Sequence, residues 1–172
     1  MIALAQKYDA LLARSGEQPR GVAEGMRTCF EVLSLAAAID RDCAARLGEH
    51  DLSEGKFVLL VLLDEARDGL SPHELAARAG VTRGTVTGLL DGLVRSGLVR
   101  RIANAVDRRT LTVRPTASGT ALTRQLVGAH GRWIGALFSD LSAADRDALR
   151  SLLAKVFART GAGTRRAVPD DA

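Results

Sequence analysis

The chain has 172 residues, of which 47% are hydrophobic and only 3% aromatic, and its formal net charge is +4. This length suits one well-packed domain, and aliphatic residues with few aromatics favour helices over a β-sandwich or barrel. The sequence contains no uncharged apolar run of about 18 residues, so we do not expect a membrane span. The N-terminus does not resemble a secretory signal. We therefore expect a mainly α, cytoplasmic protein.

The first part of the sequence carries two helical patterns. Apolar positions within residues 1–14 predict a short amphipathic helix that ends before Ser15, the first residue of a turn-like stretch that runs to Pro19. From Val22 to Leu47 a longer helical pattern is apolar on most sides. One small domain cannot cover such a helix, so we expect it to pack against a second copy of the chain.

A run of seven apolar residues, 57–63, is compatible with either a buried strand or a helix. Ser53 before the run is a good N-cap for a helix that begins at Glu54, and the charged residues after it favour a helix that ends near Arg67. Two further helices are predicted at 117–138 and 143–159, and Ser142 caps the second of them. The small and charged residues after Gly161 are expected to fray.

Residues 71–96 have the pattern of a helix-turn-helix. Ser71 and Glu74 form a capping box with Pro at the first helical position, and this short helix is predicted to end at Gly80. Thr82 can cap the next helix, from Arg83 to about Ser96. Ala76 is small where the two helices must cross closely, Gly80 can take a positive φ in the turn, and Val86 is an aliphatic residue that fixes the second helix. The stripe expected to be buried on the second helix is Val86, Leu89, Leu90 and Leu93.

Two short strands, 98–102 and 109–113, follow this second helix and predict a β-hairpin wing. Asp107 stands beside Arg108 and Arg109 in the loop. A carboxylate there can hold a guanidinium extended through two hydrogen bonds, and an arginine so presented can enter a narrow minor groove.

The basic charge is concentrated in this part of the chain. Residues 78–114 contain eight basic and two acidic residues, which is a local charge of +6 and leaves −2 for the rest. Such focusing is typical of proteins that bind the phosphate backbone of nucleic acids. Charge alone would also fit a solvated surface.

With these motifs the chain resembles the MarR family of bacterial regulators over about residues 52–121. The matching stretches are Leu52-Ser53, Glu74-Leu75-Ala76, Val81 to Thr87, Gly97 to Arg101, Asp107-Arg108-Arg109 and Pro115 to Gly119. The resemblance implies an obligate homodimer with intertwined terminal helices, in which two winged helix-turn-helix domains read the halves of a pseudo-palindromic operator in double-stranded DNA. It also implies a repressor that a ligand or oxidation releases.

The expected organisation follows from the patterns and the resemblance together. It comprises an N-terminal extension at 1–21, a helical dimerisation region at 22–51 and 116–160, a winged helix-turn-helix at 52–115 and a flexible tail at 161–172. The residues expected to contact DNA are Ser71, Thr82, Arg83, Gly84, Thr85, Thr87, Asp107, Arg108 and Arg109. Of these, Arg109 is the expected minor-groove contact, oriented by Asp107.

The signal that releases such a regulator from DNA is either a small-molecule effector or oxidation of a thiol. Cys29-Phe30 lies as far before Leu52 as the reactive Cys-Phe pair of the family's organic-hydroperoxide sensors, so Cys29 is a redox candidate. The two tyrosines that activate that thiol are replaced by Cys43 and Glu54, which favours buried structural cysteines instead.

Other members of the family bind small aromatic acids or phenols near the dimerisation helices. Candidates for such an effector pocket here are Arg27, Phe30, Phe57 and Trp133. The three histidines, at 50, 73 and 130, are too scattered to predict a metal site.

No catalytic triad, phosphate loop or metal-ligand spacing is present in the sequence, so we expect neither an enzyme nor a cofactor. Two alternatives to a ligand-controlled DNA-binding regulator stay open. One is a thiol-based redox sensor on the same scaffold. The other is a winged-helix module that contacts proteins without sequence-specific DNA binding.

Overall fold

The computed structural model describes residues 6–14, 19–66, 68–103 and 111–162. These residues form seven helices and one antiparallel hairpin, which confirms the expected fold class. The elements in chain order are α1 Gln6–Ala13, α2 Arg20–Gly48, α3 Glu54–Glu65, α4 Pro72–Ala79, α5 Arg83–Arg95, β1 Val99–Ala103, β2 Leu111–Pro115, α6 Ala117–Leu137 and α7 Ala143–Phe157. The chain divides into two compact units, residues 1–123 and 124–172, and the boundary falls inside α6.

The ambiguous apolar run at 57–63 is helical, as the cap before it predicted. The Ser53 hydroxyl accepts a hydrogen bond from the backbone N–H of Lys56, and α3 begins at the next residue, Glu54. Within the run Leu59, Leu60 and Leu63 are buried, whereas Val58 is exposed. This spacing of buried positions identifies an amphipathic helix.

The hydrophobic core of the first unit is built from α3, α4, α5 and β2. Fully burying one aliphatic side chain of this size contributes about 1.5–3 kcal/mol relative to leaving it exposed. The fully buried side chains of these elements are Leu59, Leu60, Leu63, Leu75, Val86, Leu90, Leu93 and Val113. The predicted stripe of α5 is therefore confirmed at three positions, whereas Leu89 is half-buried.

The strands of the hairpin end later in the chain than predicted. β1 pairs with β2 so that Val99 lies opposite Pro115 and Ala103 opposite Leu111. The second strand thus ends at Pro115, two residues beyond the predicted end. Leu70 forms an isolated antiparallel bridge to β2, where it exchanges two backbone hydrogen bonds of 2.8 and 3.1 Å with Val113. This pairing joins residues 43 positions apart, so no local pattern signals it.

Hydrogen bonds hold the start of α6 against the turn that follows α5. The Thr116 hydroxyl accepts from the backbone N–H of Gly119 at 3.1 Å and donates to the carbonyl of Gly97 at 2.7 Å, while the Thr116 N–H donates to the carbonyl of Leu98 at 3.0 Å. A Cβ atom at position 119 would lie 2.0 Å from the Leu98 carbonyl oxygen, which is far inside van der Waals contact. Glycine is needed at this position for steric reasons.

In the second unit, a capping box and an arginine stabilise the turn that precedes α7. Ser142 and Asp145 bond to each other's backbone N–H groups, as predicted, and Arg146 Nη1 donates to the Leu141 carbonyl at 2.5 Å. Across α7, all of which the structure describes, no side chain is buried. Large apolar side chains there remain exposed, with Leu152 at 58% and Val156 at 67%.

None of the helices in the described part of the chain has the length and apolar character needed to cross a membrane. The tail predicted to fray lies outside the described residues from position 163 onward.

The close approach at Gly119 can be tested against a glycine that has free space. We expect Gly119→Ala to lower the free energy of unfolding by about 1–3 kcal/mol, because the new methyl group displaces the Leu98 carbonyl. Gly88 on α5 is open, since no side chain and no backbone beyond its own helix lies within 4 Å of where a Cβ would stand. Gly88→Ala should therefore raise the free energy of unfolding by about 0.4–1 kcal/mol. Chemical denaturation at one fixed protein concentration measures both, and equal effects would contradict the steric role of Gly119.

Candidate nucleic-acid interface

The helix-turn-helix is defined by its caps at both ends of α4. The Ser71 hydroxyl accepts from the N–H of Glu74 at 3.2 Å, and the Glu74 carboxylate accepts from the N–H of Ser71 at 2.8 Å. At the other end Gly80 has a φ of +66°, a left-handed conformation that costs glycine little. The chain then reverses and α5 begins after Thr82. The predicted boundaries of both helices are confirmed.

α5 presents one face to the core and the opposite face to solvent. Burial of Val86, Leu90 and Leu93 fixes its rotation about its own axis. The exposed residues of its first turns are Thr82, Arg83, Gly84, Thr85 and Thr87. The structure therefore brings together on one exposed helix N-terminus all five residues that the sequence assigned to this helix. Ser71, which the sequence also assigned to the DNA contacts, caps α4 and is half-buried.

The polar groups on this exposed face bond to one another. The Thr82 hydroxyl lies 2.9 Å from the Thr85 hydroxyl and accepts from the Thr85 N–H at 3.2 Å. The Thr87 hydroxyl donates to the carbonyl of Arg83 at 3.0 Å. These bonds order the threonine side chains, and the backbone N–H groups of a helix N-terminus carry the partial positive charge that attracts phosphate.

One contact of this face was missed from the sequence. Arg83 Nη2 lies 3.1 Å from Nδ1 of His73, the second residue of α4. The two residues are ten positions apart in the chain, and both are exposed. Only the tight turn between the helices brings them together, so the sequence pattern of either helix alone does not indicate the pair.

Two arginines of the basic segment are bound within the domain. Arg101 on β1 forms an ion pair of 2.5 Å with Asp91 on α5. Arg114 on β2 donates from Nε to the carbonyl of Asp68 at 3.0 Å. The first pair joins the hairpin to α5, although an exposed ion pair of this kind contributes only about 0.2–1 kcal/mol.

The predicted tip of the hairpin, with Asp107, Arg108 and Arg109, lies outside the described residues. The two strands on either side of it are described, and they pair in antiparallel register up to Ala103 and Leu111. The orientation of Arg109 by Asp107 stays a prediction.

The expectation of buried cysteines is wrong for Cys29, which is exposed on α2. Cys43 is half-buried, and burial, followed by the nearby carboxylates of Glu54 and Asp40, raises the pKa of its thiol. A raised thiol pKa disfavours the reactive thiolate at Cys43. Both thiols are free.

The effector candidates lie in separate surroundings. The Phe30 ring stacks on Tyr8 of α1 at a centroid distance of 4.6 Å, while Phe57 belongs to the buried core and Arg27 is exposed. In the second unit, the Trp133 ring lies 5.0 Å from that of His130.

Each unit has an open cavity, and none of the four effector candidates lines either of the two. The first, of about 270 Å³, lies between α3 and the helix-turn-helix and includes Val58, Val81 and Leu89. The second, of about 450 Å³, lies between α6 and α7 and includes Phe138 and Leu153. Among the residues that the structure describes, no group of three or more potential ligands is placed to hold a metal ion.

Comparison with known proteins connects this geometry to a family. The family model described as MarR family matches residues 52–111, which run from before α3 into β2. The HTH-type transcriptional repressor YetL of Bacillus subtilis is 42% identical over 109 residues, and the alignment covers 63% of this chain and 65% of that protein. The HTH-type transcriptional regulator TtmR of Methylorubrum extorquens is 35% identical over 94 residues, covering 55% of this chain and 48% of that protein.

The chain therefore spans just under two thirds of the first of these relatives and about half of the second. Among solved structures, the fold is similar to that of S. aureus MepR in a complex with DNA. The TM-score is 0.63 at 24% identity, and the match covers 73% of this chain and 93% of that one.

The capping box of α4 predicts a pH dependence of folding. The pKa of the Glu74 carboxyl is lowered mainly by the hydrogen bond from the Ser71 backbone N–H, and next by a hydrogen bond with the Ser71 side chain. The ionised form therefore stabilises the folded state above the unfolded-state pKa, and this contribution is lost as the pH falls through the lower folded-state pKa. We expect the parent to melt at a higher temperature than Glu74→Gln at pH 7, with a difference that shrinks below about pH 4.

Thermal unfolding at one protein concentration measures this difference. Asp145→Asn should behave with the same sign, because hydrogen bonds with Ser142 lower the pKa of the Asp145 carboxyl in the equivalent box of α7. A melting difference that stays constant from pH 7 to pH 3 would contradict the role given to the ionised cap.

Proposed function

We propose that the chain is a member of the MarR family, whose model matches residues 52–111, and that it is a transcriptional repressor that binds double-stranded DNA as a homodimer. The observation that carries the proposal is the exposed N-terminal face of α5, where five small, hydroxylated or basic residues stand on a helix whose other face is locked into the core. Two relatives are named as a transcriptional repressor and a transcriptional regulator, and a protein of similar fold has been solved with DNA.

In this proposal α5 enters the major groove, which is wide enough for a helix. Gly84 has no side chain to separate the backbone from DNA, so the helix N-terminus can approach a phosphate closely. Thr85 and Thr87 offer methyl groups to thymine and hydroxyls to either base edges or phosphates. Ser71, at the N-terminus of α4, supplies a second site for a backbone phosphate.

The hairpin is proposed to reach the adjacent minor groove. Arg109, oriented by Asp107, is the proposed minor-groove contact, and Arg108 adds a phosphate contact. The ion pair between Asp91 and Arg101 supports this arrangement, because it joins the base of the hairpin to the helix proposed to lie in the major groove.

Exposed apolar side chains support the homodimer. On α2 the exposed residues include Val22, Val32, Leu33 and Leu35, each 45–47% accessible, and on α7 they include Leu152, Val156 and Phe157. Covering such side chains with a partner would contribute a free energy of about 25 cal/mol for each Å² of apolar surface removed from water. A second copy of the chain is the partner proposed, which matches the terminal dimerisation helices expected from the family.

For release from DNA we propose a small aromatic or phenolic effector, with Arg27, Phe30, Phe57 and Trp133 as candidate contacts. The stacked pair of Phe30 and Tyr8 supports an aromatic environment on α2. Redox control by Cys29 is the alternative that its exposure favours. An interaction module without DNA specificity is the other alternative.

The DNA-binding proposal is tested by selecting sequences from a random duplex pool with the parent protein. We expect a shared pseudo-palindromic motif and an affinity that falls steeply with salt concentration. Arg109→Ala should then weaken binding to that motif by about 1–3 kcal/mol, or roughly 5- to 150-fold. Arg41→Ala on α2 removes the same charge outside the proposed interface and should change affinity less than about twofold. Recovery of no shared motif would instead favour the interaction module.

The homodimer is tested by sedimentation equilibrium. We expect Val156→Glu, which places a charge in the proposed interface, to shift the parent from dimer to monomer at micromolar concentrations. Ser151→Glu adds the same charge to the same helix and, at a position without an apolar side chain, should leave the dimer intact. A parent protein that sediments as a monomer would contradict the proposal.

A further inference from the structure

His73 and Arg83 connect the first turns of the two helices of the helix-turn-helix. Arg83 is the first residue of α5 and His73 the second of α4, and their side chains meet at 3.1 Å between Nη2 and Nδ1. Both residues are exposed, so the contact lies on the surface proposed to face DNA. It joins the two helices on this surface through their side chains.

The chemistry of the contact defines the state of the histidine. A guanidinium has five N–H donors and no acceptor, so Nδ1 of His73 must be the acceptor. The imidazole that makes this bond is neutral and carries its hydrogen on Nε2. Its Nε2–H then stays available as a further donor.

The helix that carries Arg83 offers its guanidinium no charged group one turn away. The residues at that distance along α5, Val86 and Thr87, are uncharged, and the Thr87 hydroxyl bonds to the Arg83 carbonyl and not to its guanidinium. A long side chain at a helix start samples many rotamers unless something outside the helix holds it. His73 supplies that external bond from α4.

We propose that His73 is a positioning residue, which holds the guanidinium of Arg83 in place for DNA and so lowers the entropy lost when the complex forms. This inference rests on the proposed function, since Arg83 is one of its DNA contacts. One of the five guanidinium donors is used on the histidine, and the remaining four stay available for phosphate oxygens or for a guanine edge. His73 acts through Arg83, so its effect should disappear when Arg83 is absent.

A double-mutant cycle measures this coupling. The proteins are the parent, His73→Ala, Arg83→Ala and the double variant, and the probe is the DNA motif selected by the parent, at constant salt and pH 8. We expect His73→Ala to weaken binding about two- to tenfold in the parent, which is the range for ordering one flexible side chain at an interface. In the Arg83→Ala background the same change should have less than about a twofold effect. Equal effects in both backgrounds would overturn the inference.

A pair of amide variants separates positioning from a merely structural role. Asn places its side-chain oxygen near the position of Nδ1, so His73→Asn should keep an acceptor for Arg83 and bind DNA within about twofold of the parent. Gln carries its amide one methylene further out, and His73→Gln should bind as weakly as His73→Ala. This comparison also decides the matter if His73→Ala lowers the melting temperature. Equal affinities of the Asn and Gln variants would contradict positioning by His73.

Failure of the inference differs from failure of the proposed function. If the parent selects a motif but the cycle shows no coupling, only the role of His73 is wrong. If the parent selects no motif, the DNA-binding function itself is wrong, and with it the premise of the cycle.

Discussion

Burial of one face of α3 is the constraint on which the rest of the first unit depends. Leu59, Leu60 and Leu63 are almost completely removed from solvent, and α3 packs against α4, α5 and β2. α3 and α5 approach each other closely at Gly55, where a Cβ atom would lie 3.0 Å from the Leu89 side chain. Interiors packed this tightly do not allow a helix to rotate freely. α5 therefore has only one face that it can present to a partner.

That presented face is also ordered by its own polar groups. The Thr82 cap, the bond from Thr87 to the Arg83 carbonyl and the contact of Arg83 with His73 each restrain a side chain before any ligand arrives. Groups restrained in advance lose less conformational entropy on binding. The same logic applies to the hairpin, whose base is joined to α5 by an ion pair and to Leu70 by backbone hydrogen bonds.

The second unit has a different balance of forces. Its helix α7 has capped ends, and Arg146 holds the turn before it, but none of its side chains is buried. Local hydrogen bonds therefore define where the helix begins and ends, while little apolar burial within the chain stabilises it. Under the proposed homodimer, the missing burial comes from the partner, and folding and association become linked. A signal that alters the packing of this proposed dimer would then change how two copies of α5 are spaced without touching the residues proposed to contact DNA.

The sequence by itself determined the elements whose causes are local. The capping boxes at Ser71 and Ser142, the Thr82 cap and the turn at Gly80 involve residues at most a few positions apart, so the helix boundaries and the exposed residues of α5 could be predicted directly. The motif from Pro115 to Gly119 was recognised, but its steric reason, the close approach to the Leu98 carbonyl, was visible only in the structure.

Tertiary structure alone decided the features that join distant parts of the chain. These are the register of β2, its pairing with Leu70, the exposure of Cys29 and the contact between His73 and Arg83. Each depends on which surfaces α3 and the hairpin cover, and a surface is covered or left open by elements far away in sequence. Periodicity shows that a helix has an apolar face, whereas only packing decides what that face meets.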